Sequence, residues 1–193
     1  MTLLDTPLRH LTLHTPDGPF SMIADETDVL ASGWTAEINE LLSLIHPQLR
    51  GGIAQTSQVP EDDRHPVLTQ AQQAVEAYYS GDLTAVDRVP VRQRSGPFRE
   101  HAWAALREVS PGQPVSYAEY AQRAGSPAAI RAAAGACAKN AAALFVPCHR
   151  IIRTDGGLGG FRYGVEIKQS LLQREAVPAP SPRADPRLAS PAR

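Results

Sequence analysis

The chain has 193 residues, 42% hydrophobic, enough apolar material for one ordinary domain or two small ones and too much for a disordered chain. No apolar stretch approaches a membrane span, and Met1-Thr2-Leu3-Leu4-Asp5 carries an early acid and no basic signal region, so a cytoplasmic protein without membrane contact is expected. The net charge of −1 hides an asymmetry, because 4 basic and 13 acidic residues precede position 92 while 12 basic and 6 acidic residues occupy 92–175. A basic module beside an acidic one suits a polyanionic partner, although ordinary fluctuation of surface charge gives the same pattern.

The hydrophobic pattern predicts an α/β (α+β) chain in two parts. A β-hairpin is expected over Leu8–Ile23, with Leu11-Thr12-Leu13-His14 and Phe20-Ser21-Met22-Ile23 flanking the turn sequence Pro16-Asp17-Gly18-Pro19. Residues 33–45 read as a strand followed by a helix, and 46–66, rich in Pro, Gly, Gln and Asp, as a loop. A helix is expected from Val67 to Tyr79, stopping at Ser80-Gly81, followed by an extended crossing over 84–97.

That crossing marks a boundary. Residues 1–91 are expected to form a small antiparallel-sheet-plus-helix domain, 92–176 a mostly helical one, and 177–193 a disordered tail. The second part opens with a helix near Pro97, whose apolar stripe is Phe98, Ala102, Leu106 and Val109. Ser116-Tyr117-Ala118-Glu119 has the capping-box pattern and predicts a short helix to Ala124, broken by Gly125. Ser126-Pro127 supplies an N-cap and a first-turn proline for a second helix, from Ala128 to about Ala138. Two short helices joined by a tight glycine turn read as helix-turn-helix. The second helix is nearly bare of bulky side chains, so it suits close packing against another helix or entry into a groove. Arg131, one long cation on a smooth surface, favours the groove.

The apolar run Ala141–Val146 reads as a short buried strand leading into Val146-Pro147-Cys148-His149-Arg150. It delivers a thiol, an imidazole and a guanidinium to one edge of a core. A thiol becomes a strong nucleophile when a nearby base or cation lowers its pKa. Gly156-Gly157-Leu158-Gly159-Gly160 follows, a loop able to approach a ligand closely. A last helix runs from Val165 to Glu175 with Ile167, Leu171 and Leu172 apolar. The two cysteines, Cys137 and Cys148, make neither a disulfide framework nor a structural zinc site, and no spacing argues for a metal.

Pro147-Cys148-His149-Arg150, the helix-turn-helix before it and the glycine loop after it resemble the O6-alkylguanine-DNA alkyltransferase family, over residues 96–175. Arg131-Ala132, Gly135-Ala136-Cys137-Ala138 with Asn140, and Gly160-Phe161-Arg162-Tyr163-Gly164 look most like the C-terminal repair domain of bacterial Ada. The opening hairpin and Ala77-Tyr78-Tyr79-Ser80-Gly81 resemble the family's N-terminal domain, with its RNase H-like sheet, more weakly. Ala141 stands where the family usually has proline.

The resemblance implies DNA repair by direct, irreversible transfer of an alkyl group from O6-alkylguanine, and possibly O4-alkylthymine, in duplex DNA to Cys148. Each molecule would react once, as a monomer and without a cofactor, associated with the nucleoid when bound to DNA. Matching positions assign catalytic roles to Cys148, His149, Glu175, Tyr117 and Asn140. They assign DNA contacts in the minor groove to Arg131, Tyr117, Ala132, Ala133, Gly135 and Ala136, and a substrate pocket to Pro147, Ile151, Phe161, Arg162 and Tyr163. A non-catalytic module that recognises alkylated guanine, or a Cys-His-Glu hydrolase, are the alternatives. Cys148 argues against the first, and the Ala-rich helix with its arginine against the second.

Overall fold

The computed structural model describes residues 7–50, 56–58 and 65–176. The N-terminal Met1–Asp5 segment, part of the expected loop over 46–66 and the expected 177–193 tail lie outside them.

The hairpin is present as β1 (Arg9–Thr15) and β2 (Gly18–Ala24), paired antiparallel with Thr15 opposite Gly18. The two residues between them are Pro16 and Asp17. Gly18 takes φ +107°, a left-handed value that explains glycine there. β3 (Val29–Gly33) pairs antiparallel with β2, and the two-residue β4 (Ser57–Gln58) pairs parallel with β1, giving the order β3-β2-β1-β4. The strand expected inside 33–45 therefore ends where that range begins, and the range holds a helix, α1 (Ile38–Leu44). A one-turn helix, α2 (Pro47–Arg50), lies in the expected loop.

Alternation along β2 sorts its side chains to two faces. Ile23 packs with Leu30, Ala31 and the α1-side residues Leu41, Leu42 and Ile45. Phe20, Met22 and Ala24 pack with Val67, Leu68, Ala71, Val75 and Tyr78 of α3 (Pro66–Tyr79). Helices on both faces bury β3 completely, which is why it reads as a run rather than an alternation.

The second half holds α4 (Pro97–Arg107), α5 (Tyr117–Arg123), α6 (Ile130–Ala138) and α7 (Val165–Ala176). β5 (Val115–Ser116) pairs parallel with β6 (Ile151–Ile152). Ala102, Leu106 and Val109 of the predicted stripe are buried. Ser116 caps α5 by accepting from Glu119 N at 3.1 Å. The reciprocal half of the capping box is not made, because Glu119 pairs instead with Arg123 at 2.6 Å. Helix α6 starts later than its sequence signals: Ser126 O accepts from Ala129 N at 2.9 Å, spending Ser126-Pro127 on a turn and leaving Ala129, which has no capping side chain, as the N-cap.

The run Ala141–Val146 is buried throughout, but it is not a strand. It touches the sheet at one bridge, where Ser32 N donates to Ala141 O at 2.8 Å and Ala143 N donates to Ser32 O at 3.1 Å. Leu144 then turns left-handed at φ +74°, and Val146 N reaches back to Ala142 O at 2.9 Å. Ala143, Leu144 and Phe145, with Leu171 of α7, sit in the same core as Phe20 and Tyr78. A turn held inside the first core thus sets where Cys148 emerges.

Candidate active site

Cys148 opens a short 3₁₀ turn, Cys148–Arg150, rather than continuing an extended segment. A turn of this kind does not force adjacent side chains to opposite sides, as a strand would. Even so, the sulfur is bonded from elsewhere: Asn140 Nδ2 donates to Cys148 Sγ at 3.2 Å and to Val146 O at 2.8 Å. Asn140, just past α6, is 3% exposed. Its Oδ1 accepts from Ala142 N at 3.1 Å and from Gln93 Nε2 at 2.9 Å. Gln93 Oε1 in turn accepts from Ala141 N at 2.7 Å.

Behind the thiol lies a buried polar hub centred on Glu175. Its Oε1 takes hydrogen bonds from His149 Nε2 at 2.8 Å and from the Tyr78 hydroxyl at 3.0 Å. Arg150 donates Nε to Oε2 and Nη2 to Oε1, each at 2.9 Å, and Nη1 to Val109 O at 2.6 Å. This bidentate pair is the strong geometry for guanidinium and carboxylate. Burial pushes the Glu175 carboxyl up, but His149 and Arg150 overcome it and hold it at about 2. His149 shifts down, chiefly because burial disfavours its charge. The consistent state is a neutral imidazole whose Nε2–H donates to an ionised Glu175. His149 Nδ1 is buried with no partner among the described residues.

Arg150 is therefore committed to Glu175 and is not the cation beside the thiol. That place belongs to Lys168 and Arg162. Burial pushes the Cys148 thiol up, while the Asn140 hydrogen bond, Lys168 and Arg162 pull it down. Lys168 on α7 is fully buried, with Nζ donating to Ile151 O at 2.6 Å. Gln93, Tyr78 and Lys168 escape the sequence reading. Lys168 had a signal, since 168, 171 and 175 fall on one helical stripe and all three are buried.

Cys148 opens into a cleft of about 380 Å³ lined by Tyr117, Ala134, Cys137, Ala138, Asn140, Ala143, Gly160, Phe161, Arg162 and Tyr163. The cleft brings together Tyr117, Asn140, Cys148, Phe161, Arg162 and Tyr163 of the expected site. His149 and Glu175 lie behind it. Pro147 and Ile151 do not line it: both are buried, and Ile151 packs with Val115 and Val146. The Tyr117 hydroxyl is pushed up to about 12 by burial and by the two cysteines, which keeps it protonated at neutral pH. Gly159, at φ +70°, lies against the Tyr117 ring, where an added Cβ would stand 3.3 Å from it. Tyr163 crosses Gly33 and donates its hydroxyl to Ser32 O at 3.2 Å, tying the far wall to β3. Among the described residues no group of three His, Cys, Asp or Glu converges as a metal site, and no helix is long and apolar enough to cross a membrane.

Helix α6 borders the cleft and has two faces. Ala133 and Ala136 are fully buried, with Trp103 Nε1 donating to Ala136 O at 2.9 Å. These two cannot touch a groove, a correction to the expected DNA-contact set: the small residues there serve packing. Arg131 and Ala132 are exposed and Gly135 is partly so, beside an exposed Ile130. Arg131 makes no ion pair or hydrogen bond among the described residues.

Comparison with known proteins agrees with this geometry. The family model "6-O-methylguanine DNA methyltransferase, DNA binding domain" matches residues 97–177. The methylated-DNA–protein-cysteine methyltransferase of Shigella flexneri is 31% identical over 166 residues, covering 83% of this chain and 91% of its own. The bifunctional transcriptional activator/DNA repair enzyme Ada of Escherichia coli is 47% identical over 88 residues, 46% of this chain. The chain spans 25% of Ada and 66% of the Haemophilus influenzae methyltransferase that it also matches. Mycobacterium tuberculosis OGT, crystallised in complex with DNA, superposes with a TM-score of 0.72 at 26% identity, over 87% of this chain and 92% of its own. With its cysteine turn, its helix pair and a relative matched along nearly its whole length, the chain belongs to the methylated-DNA–protein-cysteine methyltransferase family.

Proposed function

We propose that this protein repairs DNA by moving the alkyl group of O6-alkylguanine onto Cys148. The observation that carries the reading is a thiol that holds an Asn140 N–H bond at the floor of an open cleft, with an arginine on the bordering helix that has no partner among the described residues. The alkyl carbon lies within the base stack, so the nucleotide must first be extruded, at a cost of about a few kcal/mol. Helix α6 docks in the minor groove through Ala132 and Gly135, and Arg131 enters the stack where the base was. Phosphate contacts offset the cost and make binding salt-sensitive.

The Cys148 proton passes through a bridging water to His149 Nδ1, and Glu175 steadies the imidazolium through Nε2, the logic of a catalytic triad with a water inserted. The thiolate attacks the alkyl carbon in line. The S–C bond forms, the C–O6 bond breaks, and the electron pair stays on guanine, whose ring nitrogen gains a proton from the Tyr117 hydroxyl; solvent reprotonates Tyr117 and takes up the proton that His149 received from Cys148. Tyr117 also crowds the phosphate that must rotate. The product is a thioether that no neighbouring group can reverse, so each molecule acts once and without a cofactor. Phe161, Arg162 and Tyr163 bound the alkyl group and limit its size; O4-alkylthymine is a second substrate of the same geometry.

Residues 1–91 support the acceptor module of 92–176, and the protein works as a cytoplasmic monomer on duplex DNA. The test is intact mass after incubation with a duplex oligonucleotide containing O6-methylguanine. One methyl gained, mapped to Cys148 and lost in Cys148→Ala, is the expected result. Methyl transfer to the Cys148→Ala protein would refute it, and repeated ester turnover without DNA reaction would favour a hydrolase.

A further inference from the structure

We propose that Gln93 is a positioning residue that locks the Asn140 side-chain amide with its N–H toward Cys148 Sγ. The proposal deepens the alkyl-acceptor reading and rests on it. A carboxamide can sit either way round, and only one orientation helps a thiolate. With Nδ2 toward sulfur it donates to the developing charge; flipped, it would present Oδ1 and repel it. Val146 O accepts from Nδ2 at 2.8 Å, and two donors hold the other end of the amide. Ala142 N and Gln93 Nε2 both aim at Oδ1, at 3.1 and 2.9 Å. The first is backbone and belongs to the turn. The second comes from the crossing segment before α4, remote in sequence, and is the one side chain among the described residues that holds Oδ1.

Gln93 is itself prevented from flipping. Its Oε1 accepts from Ala141 N at 2.7 Å, so its Nε2 must face Asn140. That N–H exists because residue 141 is alanine; a proline there would offer none. The relay therefore runs from the Ala141 backbone through Gln93 to Asn140 and the sulfur, with every amide orientation dictated by the previous one. Hydrogen bonding to the charged form favours ionisation. The other groups around the sulfur are Tyr117 and Tyr120 on α5, Cys137 on α6, Arg162 and Tyr163 on the loop after β6, Lys168 on α7 and His149 in the cysteine turn. None of them touches Asn140 Oδ1.

The experiment reads thiol ionisation without DNA: the pH dependence of carboxamidomethylation of Cys148 by iodoacetamide, resolved from Cys137 by peptide mapping. In Gln93→Ala and Gln93→Leu the profile is expected to move up by about half a pH unit, with the neutral-pH rate about threefold lower. Asn140→Ala should shift it further, and adding Gln93→Ala to that background should change nothing more. A folded Gln93 variant whose profile overlays the wild type would overturn the proposal. So would a Gln93→Ala shift that persists undiminished without Asn140. The methyl-transfer assay is scored separately: if wild type takes no methyl from DNA while the Gln93 variants still shift, the functional reading falls and the positioning role stands.

Discussion

The two sides of Cys148 are built differently. Behind it, Glu175 receives bonds from His149, Arg150 and Tyr78, and every group of that hub is buried. In front, among the described residues, Asn140 donates to the sulfur and α6 presents an arginine with no partner. Groups that set charge are paired by the fold, with His149 Nδ1 the exception among the described residues. Arg131, which would enter the duplex, makes no intramolecular bond among the described residues, so its insertion need not break one first. Stability should therefore depend on the rear and engagement of duplex DNA on the front, and four substitutions test that separation.

Glu175→Gln should have the largest effect. It removes the charge opposite Arg150 and leaves a buried guanidinium uncompensated, a loss of about 3–5 kcal/mol in unfolding free energy. Denaturant titration measures it, and a change below about 1 kcal/mol would break the comparison. The same hub fixes an acid limit. Glu175 is held at about 2 against its ordinary 4.5, so its contribution, about 3 kcal/mol, is full above 4.5 and lost as pH falls toward 2. His149, also shifted down, acts in the same direction from its ordinary 6.5 downward. Wild type should weaken steadily from about pH 6 to pH 2, and Glu175→Gln should lose most of the slope below pH 4.5.

Arg131→Ala should do the reverse. Its side chain is exposed and has no partner among the described residues, so the unfolding midpoint should stay unchanged. Methyl transfer from duplex DNA should slow about ten- to a hundredfold, the equivalent of about 1–3 kcal/mol of lost base extrusion. Transfer from a free alkylated base, which needs no extrusion, should be little affected. Equal loss on both substrates would assign Arg131 to the chemistry instead of the duplex.

How far the sequence carried this picture varied with locality. The hairpin, α3, α4 and α5 were legible because turn residues, caps and apolar stripes act within a few positions. The run 141–146 was misread as a strand because the left-handed Leu144 is imposed by the core around Phe20 and Phe145, which no local pattern encodes. The start of α6 was misplaced because Ser126-Pro127 serves a turn equally well. Cys148 and its cleft neighbours Tyr117 and Asn140 were placed by motif, as was Glu175. Gln93 was not, since it lies in an irregular crossing and acts through contacts 47 and 48 residues away.

The smallest effect comes from the finest division, between the two faces of one helix. Ala133 is fully buried and Ala132 exposed, although they are neighbours in an alanine run. Ala133→Leu forces a side chain between α6 and the Trp103 layer and should cost about 1–3 kcal/mol of stability. Ala132→Leu adds the same atoms on the open face, where stability should change by less than about 0.5 kcal/mol. Any penalty there should appear only with duplex DNA, because the bulk would hold α6 away from a narrow groove. If Ala132→Leu reacts with duplex as fast as wild type, the smooth outer face is not the surface that meets DNA, and the alanines of α6 serve packing alone.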